Sequence, residues 1–528
     1  MFAFSPLGYS HRSTTIDRRH FLGAAGAALA VLPARRLWAD ALTAGATPDT
    51  LVAVGSTGKP VTLSASDIKD LRASLRGQLL LAQDPAYDQA RRIWNGAFDR
   101  HPALIVRCQD AKDVVQAVNF ARSHALLCAV KGGGHSLSGQ SSCDGGLMID
   151  LTNMKQVQVD RAQRTAQAQS GVLLGELDSK NQSAGLVTPL GTASDTGIAG
   201  LTLGGGQGRL MRKFGLSCDN VRAFEIVTAD GQLRNASAAE NPDLYWALRG
   251  GGGNFGVVTR FDYELHALDH PVLAGNLLFP FSQARTVLAA VLELAEHAPD
   301  ELYLTGGFVN IAPSPASSAP GAAPPGRYVA IEAVYSGQPA DGERAVAPFA
   351  KLGKPAAGKF SAKPYVEAQN GFTGASPPAL PAGLGVYVKS GFVNSFSDKL
   401  LSDLVHGFEN GPEWLDSIGF GLCAGQVARV KPDATAYWNR DAKWDLLMAG
   451  AWFDHSQDQH NVAVLRDLWK TYEPYTRGYY VNTEPSADEQ RLRATYGDNY
   501  PRLAQLKSKY DPSNLFHLNA NIKPTTPA

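Results

Sequence analysis

The chain has 528 residues, of which 53 are glycine, and its 49 basic and 49 acidic residues give it a net charge of zero. Because it lacks the basic excess that binding to nucleic-acid phosphates requires, no nucleic-acid partner is predicted. With 44% apolar and 19% charged residues it is too apolar to be disordered, and it is long enough for two or more domains with their own cores.

Residues 1–39 are predicted to be a signal peptide. The apolar run Gly23–Leu32 is too short to span a bilayer, but it suits the apolar region of a signal. Arg18 and Arg19 in front of it are typical of twin-arginine export, with an ordinary secretory signal or a weak anchor helix as alternatives. Cleavage near Ala39 would remove five arginines and one aspartate and leave a net charge of −4. We therefore expect an exported protein, periplasmic or secreted, whose precursor uses the twin-arginine machinery.

After an N-terminal extension over residues 40–69, strand and helix patterns alternate through residues 70–269. The predicted strands are Ala103–Arg107, Leu126–Val130, Leu147–Leu151, Val157–Asp160, Thr165–Gln169, Ala223–Thr228, Gln232–Asn235 and Val257–Leu265. Predicted helices begin at Ser66 and cover Asp113–His124 and Gly171–Ala184. Strands interleaved with helices indicate an α+β or α/β arrangement.

Residues 270–475 form a second predicted domain, in which longer strands alternate with helices. Its clearest elements are the strands Leu302–Val309 and Arg327–Tyr335 and the helices Ala284–Ala298 and Ser397–Gly407. The stretch Pro313–Gly326 is rich in proline, alanine and serine, and we expect a surface loop because proline cannot donate to a strand ladder. Residues 476–528 follow as a C-terminal segment.

The cysteines give no sign of a metal site. The five are Cys108, Cys128, Cys143, Cys218 and Cys423. They form no CxxC motif and no zinc-type cluster with histidine. A disulfide framework is not expected at this chain length, whereas a single disulfide after export stays open because sequence cannot assign it.

The loop that follows the second predicted strand reads Lys-Gly-Gly-Gly-His-Ser over residues 131–136. Consecutive glycines let backbone N–H groups converge on one point, which forms a nest suited to a pyrophosphate. His135 would then lie beside whatever the phosphates carry. The alternative is an ordinary glycine turn with a surface histidine.

Two further glycine-rich stretches follow, and residues 132–256 together hold 23 of the 53 glycines. In Pro189–Gly208 the glycines have no helical period, which indicates close approach of the backbone to a flat ligand. Arg249–Gly256 contains a formal GxGxxG pattern, but a helix precedes it and a strand follows. A Rossmann site has the reverse order, so none is predicted here.

Together these motifs resemble the berberine-bridge-enzyme-like flavoproteins of the vanillyl-alcohol-oxidase superfamily, whose FAD-binding domain is of the PCMH type. The segments that carry the resemblance are Arg92–Asn95, Lys131–Ser136, Pro189–Gly208, Arg212–Asn220, Arg249–Gly256, Tyr480–Asn482 and Tyr510–Ile522. They run in the expected order from about residue 70 to residue 523.

The resemblance implies an α+β fold. Two α+β subdomains at residues 70–269 would form the PCMH-type FAD-binding domain. Residues 270–475 would form a substrate-binding domain with an antiparallel sheet flanked by helices. Residues 476–528 would return to the FAD domain.

The resemblance also implies that FAD is bonded covalently to a histidine, and His135 occupies that position. Many members add a second link from a cysteine in the second glycine motif, where this chain has Ala193, so a single link is expected. Cys218 belongs to a different motif and is interpreted as a packed thiol. The residues expected to bind FAD are Gly132, Gly133, Gly134, His135, Ser136, Gly191, Thr192, Thr196, Gly197, Gly200, Gly204, Gly205, Gly206, Asn519 and Asn521.

Members of the family typically oxidise a carbon that bears a hydroxyl or an amine, passing hydride to flavin N5 while a base takes the heteroatom proton. The catalytic residues implied are Tyr480 and Asn482, on a strand with a Tyr-x-Asn motif. Thr483 replaces a second tyrosine of many members, and Tyr480 would need its pKa lowered from about 10. A core role for Tyr480, with Tyr479 facing the site instead, stays open.

The resemblance also bears on the electron acceptor, and single residues bear on the substrate. Thr196 stands where a small residue governs oxygen access in the family, which favours an oxidase that reduces O2 to H2O2. A dehydrogenase with another acceptor and, in a different class, a non-enzymatic periplasmic binding protein are the alternatives. The substrate is expected to be a small molecule: a sugar, another alcohol, an alkaloid-like amine or a polyketide intermediate. Candidate contacts to it are Lys389, Tyr437, Trp438, Asn439, Arg440 and Trp452.

Overall fold

The computed structural model describes residues 50–313, 323–369, 383–483 and 488–525. The predicted signal peptide at residues 1–39 and most of the predicted loop Pro313–Gly326 lie outside the described residues. Within them, helices pack on separate and mostly antiparallel sheets. The fold is therefore α+β, as predicted.

The strands alternate with the helices along the whole described chain. The strands are β1 (Thr50–Val54), β2 (Pro60–Ser64), β3 (Gln78–Leu80), β4 (Leu104–Arg107), β5 (Cys128–Lys131), β6 (Leu147–Asp150), β7 (Val157–Asp160), β8 (Thr165–Gln169), β9 (Leu186–Val187), β10 (Val221–Thr228), β11 (Leu233–Ser237), β12 (Gly256–Glu264), β13 (His266–Ala267), β14 (Val272–Pro280), β15 (Leu302–Ile311), β16 (Gly326–Tyr335), β17 (Phe360–Lys363), β18 (Gly385–Val393), β19 (Leu415–Leu422) and β20 (Trp444–Trp452). The α-helices are α1 (Ala65–Ser74), α2 (Tyr87–Arg91), α3 (Ala111–Ser123), α4 (Leu174–Ser183), α5 (Ile198–Leu203), α6 (Met211–Phe214), α7 (Pro242–Leu248), α8 (Ala284–Glu296), α9 (Pro339–Val346), α10 (Tyr365–Gln369), α11 (Asp398–Glu409), α12 (Gln426–Arg429), α13 (Asp458–Tyr472), α14 (Glu489–Tyr496) and α15 (Tyr500–Tyr510).

A four-stranded sheet carries the first glycine motif. Its strand order is β3-β4-β6-β5, and β6 pairs in parallel with both β4 and β5. Helix α3 begins where the Asp110 side chain accepts hydrogen bonds from the N–H groups of Lys112 and Asp113, and it buries Val118 against this sheet. Because β5 ends at Lys131, the glycine loop leaves from the carboxyl edge of the parallel strands, where α/β sheets commonly bind ligands.

A five-stranded antiparallel sheet with the order β11-β10-β12-β8-β7 lies beside it. Two of the predicted strands form a hairpin: β10 pairs with β11 across a turn at Asp230 and Gly231, where Gly231 adopts a positive φ of 78°. Helix α4 starts three residues later than the predicted Gly171, because Leu173 is still extended. Helices α7 and α15 pack with this sheet through Leu244 and Leu503.

The largest sheet is antiparallel and has the order β17-β14-β16-β15-β19-β20-β18. Helices α8, α11 and α13 share one core with it, in which Val291, Phe408 and Trp469 are buried. Strands β19 and β20 also contribute Gly421 and Asp445 to a cavity that the second glycine motif lines as well. This sheet therefore forms one wall of the candidate site.

The end of the chain packs into the core of the glycine-rich region. Lys507 of α15 is fully buried and donates hydrogen bonds to the Asp511 carboxylate at 2.6 Å and to the carbonyls of Asn254 and Phe516. Asp511 in turn accepts from the N–H groups of Leu515 and Phe516. These bonds hold the C-terminal segment against the third glycine motif.

Several chemical features can be judged over the described ranges. All five cysteines are unpaired and buried, including Cys218. No described group of three or more histidine, cysteine, aspartate or glutamate side chains could hold a metal ion. In the same ranges, no helix has both the length and the apolar character needed to cross a membrane.

Candidate functional site

The first two glycine motifs touch through their backbones. A Cβ atom built on Gly133 would lie 2.4 Å from Cα of Gly197, and one on Gly197 would lie 2.4 Å from N of Gly133. Gly134 adopts a positive φ of 71°. The loop after β5 and the start of α5 can therefore meet only because both positions lack a side chain.

The loop also keeps its backbone donors unused. Among the described residues, the N–H groups of Gly132 through Ser136 donate no hydrogen bond, although Gly134 is buried. Buried N–H groups are almost always paired in folded proteins. A run of free N–H groups in a glycine loop is suited to an anionic group such as a pyrophosphate, as the sequence predicts.

His135 is held between two side chains at the end of this loop. Its ring stacks on Trp94 with the ring centroids 4.1 Å apart and an interplanar angle of 28°. On its edge, Nε2 lies 3.5 Å from Oδ1 of Asp195, while Trp94 Nε1 donates to Oδ2 of the same carboxylate at 3.1 Å. His135 is only 16% exposed and is fixed from two sides, so it is not the free surface histidine of the alternative interpretation.

The surroundings of the Asp195 carboxyl favour its ionised form. Burial raises the pKa of Asp195, but the hydrogen bond and charge of His135, together with the donor of Trp94, outweigh this and leave the pKa below its usual value. A carboxylate beside a histidine commonly selects which ring nitrogen keeps the proton. No local sequence pattern links Asp195 to His135, because the two residues lie 60 positions apart along the chain.

The second glycine motif continues past α5 into close contact with the C-terminal segment. A Cβ on Gly204 would lie 2.1 Å from Oδ1 of Asn482, and one on Gly205, whose φ is 119°, would lie 2.7 Å from the Tyr437 ring. Gly206 also has a positive φ, 86°. Gly200, in contrast, has no described atom within 4 Å of its Cβ position. The motif thus packs on protein at one end and presents an open backbone surface in α5.

Tyr480 faces this motif with its hydroxyl oxygen surrounded by donors. The N–H groups of Gly206 and Gln207 donate to it at 3.1 and 3.2 Å, and Asn482 Nδ2 donates at 2.8 Å. Asn482 Nδ2 also donates to the carbonyl of Leu201 in α5. The structure therefore brings the predicted pair Tyr480 and Asn482 together at the second glycine motif.

The prediction of a strand at the Tyr-x-Asn motif is wrong. Residues 481–483 form a turn, in which the Thr483 N–H donates to the Tyr480 carbonyl at 2.9 Å. The turn places the Tyr480 and Asn482 side chains on the same side. A strand would have done the same, but it would have needed hydrogen bonds to a neighbouring strand. Tyr479 instead packs in the core of the five-stranded sheet. Burial raises the pKa of Tyr480 to about 12, against the donors that lower it, so a neutral hydroxyl is favoured.

A carboxyl that the sequence interpretation missed lies on the opposite wall. Asp445 of β20 lines a cavity with Thr192, Gln207, Tyr303 and the backbone of Gly421. Its Oδ1 is buried without a hydrogen-bond partner, and burial raises the pKa of Asp445 to about 7. Its position in an apolar β-strand, Trp-Asp-Leu-Leu-Met, was the available signal: an acidic residue in a fully buried strand needs a reason.

Most of the candidate substrate contacts have other partners. Arg440 forms a buried two-pronged ion pair with Asp219, at 2.7 Å for each of its two hydrogen bonds. Asn439 donates to the carbonyl of Thr495, and Trp452 lies in the core of the large sheet. Lys389 lies on β18, and Trp438 packs beside Gly497. Of the six, the structure brings Tyr437 to the site, where its hydroxyl accepts from Gln207 Nε2 at 3.0 Å.

The predicted asparagines of the C-terminal segment lie beside the first and third glycine motifs. Asn519 Nδ2 donates to the carbonyl of Gly253 at 3.2 Å, and the Asn519 carbonyl accepts from Gln140 Nε2. The side-chain oxygens of Asn519 and Asn521 are buried without partners. As expected from the reversed element order, α7 precedes the third motif and β12 follows it, so it is not a Rossmann site.

These features fit a flavin dinucleotide. Polar atoms without a hydrogen-bond partner lie on two segments: the N–H groups of residues 132–136 in the first glycine motif, and the side-chain oxygens of Asn519 and Asn521 in the C-terminal segment. The open backbone at Gly200 leaves room for a flat ring against α5. The free N–H groups suit the phosphates, and His135 belongs to the same loop.

Comparison with known proteins points the same way. Residues 102–237 match the family described as FAD binding domain, and residues 479–523 match the family described as berberine and berberine like. The chain is 30% identical to the FAD-linked oxidoreductase YgaK of Bacillus subtilis over 86% of this chain and 98% of the relative.

Two further comparisons concern proteins with a stated activity. The chain is 29% identical to (R)-6-hydroxynicotine oxidase of Paenarthrobacter nicotinovorans over 85% of this chain and 97% of that one. The crystal structure of 6-hydroxy-D-nicotine oxidase from Arthrobacter nicotinovorans superposes with a TM-score of 0.76 at 26% identity, over 86% of this chain and 99% of the other.

Proposed function

The chain belongs to the berberine-bridge-enzyme-like family of FAD-linked oxidoreductases, and we propose that it is an exported oxidase whose FAD is held by one covalent bond to His135. In this proposal it oxidises a carbon that bears a hydroxyl or amino group on a small molecule. The proposal is carried by two groups. His135 is held beside the free N–H groups of residues 132–136, and the Asp445 carboxyl, whose Oδ1 has no hydrogen-bond partner, lines a cavity with the second glycine motif.

The single covalent bond is supported by the side chains near the loop. Ala193 carries no sulfur at the position where many members have a cysteine. Cys218 is fully buried, and burial raises the pKa of its thiol above the usual value, which makes it a poor nucleophile. His135 is therefore the residue that we expect to bind the flavin.

For the reaction itself, bound FAD supplies an acceptor for hydride at N5 and passes the electrons to O2, which becomes H2O2. Asp445 takes the proton from the substrate hydroxyl or amine. Its pKa of about 7 lets it be ionised near neutral pH, and its free Oδ1 can accept a proton from a group in the cavity.

Tyr480 is the second candidate for the base. Three N–H donors around its oxygen favour the ionised form, but burial keeps its pKa at about 12. Near neutral pH we therefore assign Tyr480 and Asn482 to holding the second glycine motif and the α5 backbone in place. The charge of Asp445 also raises the pKa of Tyr480, so the two groups do not ionise independently.

The walls of the cavity limit the substrate. Gly419, Gly421 and Leu447 from the large sheet face Thr192 and Met211, so the cavity is lined mainly by small and apolar groups around one carboxyl. Such a lining suits a small molecule with a single polar group to be oxidised. The similarity to an oxidase of a hydroxynicotine supports an amine or alcohol as the oxidised group.

O2 as the acceptor rests on Thr196. Its backbone is fixed by hydrogen bonds from the Leu174 N–H and to the Ala193 carbonyl, so a small side chain is held at one place beside α5. A dehydrogenase that uses another acceptor is the second candidate.

Export through the twin-arginine route is part of the proposal as well. It is supported by Arg18 and Arg19, and by the advantage that a covalently bound cofactor gives to a protein that folds before export.

Two measurements test the proposal. Purified protein is expected to be yellow and to keep its colour in the pellet after acid precipitation, and release of the colour would reject the covalent bond. A screen of small alcohols, sugars and amines that reads peroxide and dye reduction in parallel should find a substrate with peroxide as product. Dye reduction without peroxide, and reoxidation of the flavin in air over hours, would favour the dehydrogenase.

A further inference from the structure

Asp195 and Trp94 form a clamp on His135 from two distant parts of the chain. Trp94 stacks on the imidazole face, and Asp195 lies at its Nε2 edge. The clamp is closed on itself, because Trp94 Nε1 donates to the Asp195 carboxylate. Each member thus contacts the other two, through a ring stack, a 3.5 Å contact between Nε2 and Oδ1, and one hydrogen bond.

The backbone holds all three members in place. The Trp94 N–H donates to the carbonyl of Gly134 at 2.8 Å, next to His135 itself. On the other side, the carbonyl of Ser194 accepts from the Gly175 N–H, and Thr196 is bonded to Leu174, so both neighbours of Asp195 are tied to α4. The contact between Gly133 and Gly197 joins the two loops. The orientation of the imidazole is therefore fixed by contacts within the chain.

The orientation distinguishes the two ring nitrogens. Nε2 faces the carboxylate of Asp195, whereas Nδ1 has no hydrogen bond to any described residue. A proton on Nε2 is stabilised by the carboxylate, which leaves the lone pair on Nδ1. Only a nitrogen with a free lone pair can act as a nucleophile.

From this geometry we propose that Asp195 is a positioning residue for cofactor attachment: it holds the proton on Nε2 of His135 and so makes Nδ1 the nucleophile that bonds to FAD. The inference rests on the proposed covalent bond at His135. It adds a residue to that function which neither the glycine motif nor the family resemblance identifies.

The proposed bond joins Nδ1 of His135 to the 8α carbon of the flavin. The Nδ1 lone pair forms a bond to the 8α carbon of the flavin, and that carbon gives up one of its hydrogens as a proton to solvent. The electron pair of the broken C–H bond passes into the flavin ring and from there to O2, which takes up two protons and becomes H2O2. The imidazole, now bonded at Nδ1 and protonated at Nε2, carries a positive charge beside the negative charge of Asp195. The carboxylate therefore stabilises the ring as the bond forms, the role that an aspartate has in a catalytic triad.

The test measures cofactor attachment instead of turnover. Full-length wild type, Asp195→Asn and Asp195→Glu are produced without flavin, mixed with FAD in air, and sampled over time for protein that has gained the mass of one FAD. Asp195→Asn is expected to attach FAD roughly 10-fold to 100-fold more slowly, because an amide can offer its N–H in place of an acceptor and favours the wrong tautomer. Asp195→Glu keeps the charge and should recover part of the rate.

Two controls separate this inference from the proposed function. Asp262→Asn removes a carboxylate that pairs with Arg260 on a distant strand and should attach FAD at the wild-type rate. His135→Ala should bind FAD without attaching it. Attachment in His135→Ala, or none in wild type, would overturn the proposed covalent bond. Wild-type rates in Asp195→Asn, with His135→Ala inactive in attachment, would overturn the role of Asp195 alone.

Partial recovery of the rate in Asp195→Glu is a readout that loss of structure would not produce. Equal non-covalent binding of FAD by Asp195→Asn and His135→Ala would show that the fold is intact, so slower attachment in Asp195→Asn would then report the loss of the carboxylate. An attachment rate in Asp195→Glu as low as that of Asp195→Asn would reject the inference.

Discussion

A Cβ atom on Gly133 would lie 2.4 Å from Cα of Gly197, so the first two glycine motifs meet backbone to backbone. This contact fixes the distance between the loop that ends in His135 and the helix α5 that begins at Ile198. It also brings Asp195, two residues before Gly197, to the edge of the His135 ring. One close approach of two glycines thus assembles the clamp.

The contact gives the first prediction. In the His135→Ala background, from which FAD can be removed, Gly197→Ala should lower the free energy of unfolding by about 1–3 kcal/mol or more, because the new methyl group overlaps the backbone of Gly133. Gly200→Ala is the matched control in the same helix. It meets no described atom and should leave the unfolding free energy within about 0.5 kcal/mol of its parent. Denaturant unfolding of the flavin-free proteins measures both.

The two glycine variants should differ again in the presence of FAD. If the open backbone at Gly200 accommodates the flavin, Gly200→Ala weakens FAD binding while leaving the apoprotein stable. Titration with FAD, followed by quenching of flavin fluorescence, checks this. A Gly200→Ala variant that binds FAD as tightly as its parent would show that the ring lies elsewhere.

Asp445→Asn should lower kcat by about 10²-fold to 10⁴-fold, the range expected for loss of a general base. Burial places the pKa of Asp445 at about 7, and the base must be ionised, so wild-type kcat/KM should rise with pH through about 7. Steady-state kinetics between about pH 5 and about pH 9 measure this.

The matched control is Asp441→Asn, four residues away, which removes an exposed carboxylate paired with Arg477 and should leave the kinetics unchanged. Tyr480→Phe tests the competing base. If Tyr480→Phe abolishes turnover and Asp445→Asn keeps both the rate and the pH profile, the assignment of the base to Asp445 is wrong.

Asp178 predicts a pH dependence of stability. It is fully buried, with Oδ1 unpartnered and Oδ2 accepting from Gln369, and burial outweighs that hydrogen bond and raises the pKa of Asp178 to about 7. Between about pH 4, where an unfolded aspartate titrates, and pH 7 the folded state holds a proton that the unfolded chain has released. The contribution to stability is therefore full at low pH and is lost as the pH rises through about 7.

Thermal unfolding at a series of pH values measures this effect. Asp178→Asn, which resembles the protonated carboxyl, should flatten the fall in Tm between mildly acidic and mildly alkaline pH. Asp230→Asn removes an aspartate in a surface turn whose pKa is lowered, and it should not flatten that fall. An unchanged slope in Asp178→Asn would mean that Asp178 is ionised in the folded protein throughout.

Lys507→Met should destabilise the protein by about 3–5 kcal/mol, because it leaves the buried Asp511 carboxylate without its counter-charge. Lys509→Met lies two residues away and removes an exposed pair with Asp243, so its effect should stay below about 1 kcal/mol. Denaturant unfolding compares the two. Equal effects would show that the C-terminal segment is not held by the buried pair.

Much of the fold was accessible from local patterns. Local patterns located β4, α3, β7, β8 and β15 to within a few residues. Helix α3 and strands β7 and β8 repeat their buried or apolar residues regularly, whereas β4 and β15 are almost fully buried runs. The strand at the Tyr-x-Asn motif was implied by the family resemblance, and it does not form. The partners of the Tyr480 hydroxyl are the N–H groups of Gly206 and Gln207, which lie far from it along the chain.

The sequence by itself determined where the backbone must lack side chains, and that His135 follows the loop of free N–H groups. Three glycines before His135 and the glycines of Pro189–Gly208 have a meaning that depends only on the missing side chain, so they can be recognised without coordinates. The family resemblance rests on the same residues, and with it the expectation of FAD.

Only the tertiary structure decided which side chains surround that histidine and the cavity beyond it. Trp94 and Asp195 are 101 residues apart, and Asp445 lies on a strand of the large sheet opposite Thr192. An aspartate in a sequence does not reveal whether it will be solvated, paired or buried. Its pKa and its role depend on the neighbours that folding brings within a few ångströms, and those neighbours come from segments that have no local relation to it.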